Sequence, residues 1–205
     1  MLQFTREQIS EDGLNILLVG VGGQGTIMAS NILAEAGVNL GYDVKKAEIH
    51  GMSQRGGSVI SQLRWGEKVY SPIVPEGEAD FLIAFEKLEA GRYKAGLKNN
   101  GVVLVNDQKM PPITVSARNA VYPSNEQLER GLREKTQNIY WIHASHLAEE
   151  LGDIRTANIV MIGALSIFVS GNAESWIDAI QKRVPERYSA INLKAFEIGR
   201  SAIMR

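Results

Sequence analysis

A chain of 205 residues with 22 basic and 23 acidic side chains has the size of one large domain, and its net charge of -1 leaves no positive field for nucleic acid. It has no cysteine, so it cannot form a disulfide, ligate an iron–sulfur cluster through thiolates or use a cysteine nucleophile. The first residues lack the basic start and apolar centre of a signal peptide, and the longest apolar stretch, 159–169, is too short to cross a bilayer; a cytoplasmic protein without a membrane partner is expected.

Residues 14–19 are apolar but for Asn15, the pattern of a strand buried on both faces. They run into Gly20-Val-Gly-Gly-Gln-Gly25. The spacing predicts a helix over 26–40, with Ile27, Met28, Ile32, Leu33, Ala36 and Leu40 at helical intervals and Gly41 as its terminator. Residues 44–49 read as a second strand, completing a βαβ unit. A second glycine loop, Gly51-Met-Ser-Gln-Arg-Gly-Gly57, follows.

Residues 58–65 and 68–71 read as two strands around a Gly66-Glu67 turn, an antiparallel hairpin added to the sheet. Pro72 and Pro75 fix an extended segment. Strands are expected at 79–85, 101–106 and 138–142, and a polar helix up to about Leu97. The stretch 107–132, with three prolines, is the least regular. Helices are expected at 143–151, 156–169, 174–183 and 187–203. Strands alternating with helices imply a Rossmann-like three-layer α/β/α domain with a mostly parallel sheet, a β-hairpin insertion and a helical C-terminal third.

Gly20–Gly25 satisfies G-x-G-x-x-G between a strand and a helix, where glycines allow a tight turn and the helix N-terminus favours an anion. Glu48, near the end of the second strand, stands about where a dinucleotide enzyme places its ribose-binding carboxylate. An NAD- or FAD-dependent oxidoreductase is therefore one reading. The other is that the glycines serve helix–strand packing or the approach of another chain. Glu48 leads at once into a further glycine loop, and 205 residues leave little room for a separate substrate domain. Arg55, between Gln54 and two glycines, presents its guanidinium with little crowding, suited to a phosphate, a carboxylate or an interface. His50 opens that loop. His143 and His146 have metal-compatible spacing but no evident third ligand. Asp80, Glu86 and Glu89 read as a strand edge and a solvated helix face.

Taken together, Gly20-Val-Gly-Gly-Gln-Gly25, His50-Gly-Met-Ser-Gln-Arg-Gly-Gly-Ser58, Tyr70-Ser-Pro-Ile-Val-Pro75 and Glu78-Ala-Asp-Phe-Leu-Ile-Ala-Phe-Glu86 resemble the gamma-type subunits or domains of 2-oxoacid:ferredoxin oxidoreductases, especially the small subunit of the indolepyruvate branch. The resemblance covers about 15–169, with all of 1–205 taken as one domain of this type. It implies a Rossmann-like domain that does not use NAD and is inactive alone. It implies a partner subunit carrying thiamine diphosphate, Mg and [4Fe-4S] clusters, which oxidatively decarboxylates a 2-oxoacid, here an arylpyruvate, to an acyl-CoA and passes electrons to ferredoxin. The chain has no Gly-Asp-Gly with a downstream Asn-Asn to hold a magnesium diphosphate; its one Asn-Asn, Asn99-Asn100, follows no such motif. Gly22, Gly23, Gln24, Gly25 and Arg55 are accordingly expected to face coenzyme A or the partner. No catalytic residue and no metal ligand is assigned to this chain.

Overall fold

The computed structural model describes residues 3–50, 57–111 and 121–203. Helix α1 (Arg6–Asp12) precedes strand β1 (Leu14–Val21), helix α2 (Thr26–Asn39) and strands β2 (Asp43–His50) and β3 (Ser58–Gly66). Then come β4 (Ala79–Ala84), α3 (Lys87–Tyr93) and β5 (Leu97–Asn106). The chain continues through α4 (Asn125–Arg133), β6 (Ile139–Ile142), α5 (Ala144–Glu150), α6 (Ala157–Ser166), α7 (Ala173–Arg183) and α8 (Ser189–Ile203). The strands form one sheet in the order β2-β3-β1-β4-β5-β6. Pairs β1–β4, β4–β5 and β5–β6 are parallel, and β3 runs antiparallel to both β1 and β2.

The alternation of side chains along the strands builds two cores. Ile16 and Leu18 of β1, Phe81 and Ile83 of β4 and Leu63 and Trp65 of β3 pack under α2 and α5 to α8. Leu17 and Val19 of β1, with Leu82 and Ala84 of β4, face the other way against Ala90 of α3 and Leu132 of α4. The expected three layers are present. Among the described residues, no helix is long and apolar enough to cross a membrane.

Three local expectations need correcting. Residues 68–71 form no strand; Val69 N–H instead bonds Asp43 Oδ2 at 2.9 Å. The antiparallel strand is β3 itself, which inserts between β1 and β2, so the two strands of the expected βαβ unit are not neighbours. Composition explains the exchange: β2 carries Lys45, Lys46 and Glu48, which suit an edge, whereas Leu63 and Trp65 of β3 are fully buried. Residues 107–132, expected to be irregular, contain most of α4. Its Ser124 cap and Gln127 form a capping box, as Thr5 and Gln8 do for the unanticipated α1.

Candidate functional site

Strand β1 sends the chain to α2 on one face of the sheet, and neighbouring parallel β4 sends it to α3 on the other. The crevice beyond the carboxyl ends of β1 and β4 is therefore a topological switch point, where open α/β sheets bind ligands. The glycine loop stands there. It borders a cavity of about 430 Å³ whose other walls include Phe85, Asn106 and Gln108 at the ends of β4 and β5, Met110, and Asn158 in the first turn of α6.

The loop geometry needs its glycines. Gly25 has φ 77°, and a Cβ there would lie 2.6 Å from Asn158 Nδ2. Gly23 has φ 106° and faces open space. A Cβ on Gly20 would meet Thr26 Oγ1 at 2.8 Å. Gly22 N–H donates to Gly57 O at 2.8 Å, joining the first loop to the last residue of the second. Because Gly25 is the N-cap of α2 and has no side chain to cap it, the N–H groups of the first turn lack a side-chain acceptor. Two buried polar atoms beside them, Thr26 Oγ1 and Asn158 Oδ1, have no hydrogen-bond partner among the described residues. Uncapped amides and orphaned polar atoms around an open notch suit an anionic or amide-bearing group.

Gln24 is different. Its Oε1 accepts Val21 N–H at 2.8 Å, and its Nε2 donates to Phe85 O at 2.8 Å and Gln108 Oε1 at 2.7 Å. The side-chain amide is spent on clamping the loop to the ends of β4 and β5, and the Gln24 N–H donates to Val21 O at 3.1 Å, so this residue supports the loop and does not itself face a ligand. The clamp continues into Asn106, 2% exposed, whose Nδ2 donates to Phe85 O and Ser145 Oγ and whose Oδ1 accepts Ser145 N–H.

Arg55 and residues 51–56 lie outside the described residues. A guanidinium not expected from the sequence, Arg155, stands on the cavity rim. It is paired with both oxygens of Asp153 and lies 5.0 Å from the Tyr188 ring centroid, and these contacts hold it charged. Asn158, Asn106 and Arg155 belong to no motif quoted above; the one available signal is the polar Asn106-Asp107 that ends a strand otherwise apolar from Val102.

The acidic residues expected on solvated surfaces are buried instead: Asp80 is 4% exposed, Glu86 0% and Glu89 3%. Each has donors that make burial tolerable. Asp80 accepts Asn15 N–H at 2.9 Å and Lys98 Nζ at 2.6 Å. Burial raises the Glu89 carboxyl, against the lowering effect of its Ser58 hydrogen bond and of Arg92. His143 Nδ1 lies 3.3 Å from Asp107 Oδ2, and His146 Nδ1 3.7 Å from Glu150 Oε1. Among the described residues no three His, Asp or Glu side chains gather to hold a metal ion.

The dinucleotide reading fares poorly in this geometry. Glu48 bonds Ser30 Oγ at 3.3 Å and pairs with Lys46 at 2.5 Å. Insertion of β3 also moves the end of β2 one strand further from the glycine loop, about 10 Å from β1 rather than about 5 Å.

The sequence matches the family described as pyruvate ferredoxin/flavodoxin oxidoreductase over residues 15–202. It is 43% identical over 188 residues to the indolepyruvate oxidoreductase subunit IorB of Pyrococcus horikoshii, covering 90% of this chain and 93% of that one. It is 29% identical over 155 residues to the pyruvate/ketoisovalerate oxidoreductases common subunit gamma of Pyrococcus abyssi, covering 75% and 76%. The fold is similar, with a TM-score of 0.67 and 28% identity, to the crystal structure of the gamma subunit of a keto/oxoacid ferredoxin oxidoreductase from Geobacter sulfurreducens, covering 93% of this chain and 98% of that one. The chain thus belongs to the pyruvate ferredoxin/flavodoxin oxidoreductase family, as a small, gamma-type subunit of a 2-oxoacid:ferredoxin oxidoreductase.

Proposed function

We propose that the chain, as one domain over 1–205, serves a cytoplasmic complex that oxidises indolepyruvate or a related arylpyruvate, and that its glycine loop is the edge that receives coenzyme A. The relatives named for indolepyruvate support the substrate class. Decarboxylation and electron transfer to ferredoxin belong to groups carried by a partner subunit: thiamine diphosphate with Mg, and [4Fe-4S] clusters. A chain without cysteine cannot ligate such clusters through thiolates, so that division of labour suits this sequence.

The observation that carries the reading is the uncapped start of α2 at the switch point; the orphaned Asn158 Oδ1 beside it is an acceptor and would take an N–H of the ligand rather than its phosphate. There the Gly22–Gly25 loop would hold a CoA phosphate through the N–H groups of Gly23 and Gly25 and of the first turn of α2, while Gly22 and Gln24, whose N–H groups bond Gly57 O and Val21 O, shape the loop; Arg55 would supply a further charge, and Arg155 stands on the rim. A notch of about 430 Å³ would hold only part of CoA, so its reactive end would extend toward the partner.

The test uses the complex assembled with its catalytic partner. Arg55→Glu and Gly23→Asp should leave assembly intact and raise the KM for CoA roughly tenfold, the loss of about one charge-assisted hydrogen bond. An unchanged KM for CoA in both variants with intact assembly would sink the CoA assignment.

A further inference from the structure

We propose that Glu86 and Glu89, one helical turn apart at the start of α3, are positioning residues that set the two walls of the glycine-loop site from behind. Neither side chain lines the cavity.

Glu86 is fully buried and collects four donors. Its Oε2 accepts Leu88 N–H at 2.6 Å and Glu89 N–H at 3.1 Å, capping α3. Its Oε1 accepts Met110 N–H at 3.0 Å and the Tyr122 hydroxyl. Burial and the adjacent Glu86 carboxylate raise the Tyr122 phenol, which keeps it a donor. The next residue repeats the attachment, since Lys87 N–H donates to Gln108 O at 3.1 Å. The cavity wall at Gln108 and Met110 is thus tied to α3, and Gln108 Oε1 passes the constraint on to Gln24 Nε2 and the glycine loop.

Glu89 does the same on the opposite side. Its Oε2 accepts Ser58 Oγ–H at 2.5 Å, and Tyr93 Oη lies 3.0 Å from the same hydroxyl. Ser58 follows Gly57, whose carbonyl receives Gly22 N–H. Two carboxylates on one helix turn therefore reach both flanks of Gly22–Gly25, Glu89 through Ser58 and Gly57, and Glu86 through Met110 and the segment back to Gln108. A helix cap alone needs one of them and neither of the long-range bonds.

The functional half of this inference rests on the CoA reading of the loop; the positioning half does not. Hydrogen exchange and steady-state kinetics on the assembled complex separate the two. Tyr122→Phe and Ser58→Ala each remove one donor and keep the carboxylate, so they remain informative if Glu86→Gln or Glu89→Gln fails to fold. Tyr122→Phe should speed exchange at 108–110 and at 22–26, and Ser58→Ala at 22 and 57–58. Both should raise the KM for CoA severalfold, up to the roughly tenfold of one hydrogen bond to a charged group, with kcat and the KM for indolepyruvate within twofold. Exchange that rises only at the mutated residue's own neighbours, or uniformly over the chain, overturns the proposal. Exchange that rises at 22–26 with the KM for CoA unchanged upholds the positioning role and overturns the CoA reading instead.

Discussion

The crossing of α6 and α8 offers the sharpest test of the packing that carries the site. A Cβ on Gly163 would lie 2.1 Å from Phe196 O, and one on Gly199 would lie 2.0 Å from Val160 O, so each helix rests its backbone in the other's glycine gap. In Gly163→Ala, that 2.1 Å contact has to open to about 3.3 Å, an ordinary carbon–oxygen approach. The obstacle is a helix carbonyl, which cannot rotate away as a side chain can. The cost lies at the upper end of overpacking, about 3 kcal/mol, of which alanine's better helix propensity returns about 1 kcal/mol. A net loss of about 2 kcal/mol lowers Tm by about 4–8 °C in a chain of this size. Gly131→Ala is the control with opposite sign: it is also helical, but its Cβ would meet only the flexible Lys94 Nζ at 3.4 Å. That substitution should add about 0.5–1 kcal/mol. Thermal unfolding of both variants beside the parent decides the matter. If Gly163→Ala melts at or above the parent while Gly131→Ala gains its increment, the close helix crossing is wrong. Because α6 also presents Asn158 to Gly25, the damaged variant should lose affinity for CoA before it unfolds.

Gly25→Ala places a Cβ against Asn158 Nδ2 and holds alanine at φ 77°, a strain of about 1–2 kcal/mol; the expected result is weaker CoA saturation with the partner still co-purified. Gln24→Leu strips three partners from the loop clamp; Phe85 O keeps its bond from Asn106, but the unpaired Val21 N–H costs about 1–3 kcal/mol, readable as a lower urea midpoint. Glu89 titrates above its unfolded value of 4.5 because it is buried. Its stabilising contribution is therefore full below about pH 4.5 and is lost as pH rises through the raised folded-state pKa. Glu89→Gln should consequently gain stability relative to the parent on going from pH 4 to pH 8, and a difference that stays constant across that range contradicts the burial argument. Asp80→Ala leaves Asn15 N–H without its acceptor and should cost about 1–3 kcal/mol, whereas Lys98→Ala removes a half-exposed partner and should cost less than about 1 kcal/mol in the same unfolding assay.

The sequence told most where one residue's role is local. The run 14–19, the glycine turn and the 3.6-residue period of 26–40 each fix backbone conformation over a few neighbours, and the structure has β1, the loop and α2 at those places. What depends on pairing was not legible. Nothing local in Ser58–Gly66 states that it lies between β1 and β2, although the lysines of β2 mark that strand as an edge. The buried acids show the same limit. Glu86 looks like an ordinary charged residue at a helix start until Met110 and Tyr122, distant in sequence, are seen to converge on it. The site was therefore half visible. Its glycines were readable as backbone requirements, while Asn158, Asn106 and Arg155 arrive from elements whose placement only the fold supplies.

The inserted strand also explains how a dinucleotide-like loop can serve another purpose. In a doubly wound dinucleotide fold the second strand lies beside the first, which brings its terminal carboxylate to the ribose while the pyrophosphate sits on the helix N-terminus. Here β3 occupies that neighbouring position, and its first residues, Ser58 and the preceding Gly57, take the place where the ribose contact would form. The phosphate half of the motif survives, since the strand, the turn and the uncapped helix are unaffected by which strand comes next. The ribose half is replaced by the root of a second glycine loop, pinned from beneath by Glu89. A notch bordered by Gly57 and Ser58, rather than by a carboxylate, suits the phosphate proposed above.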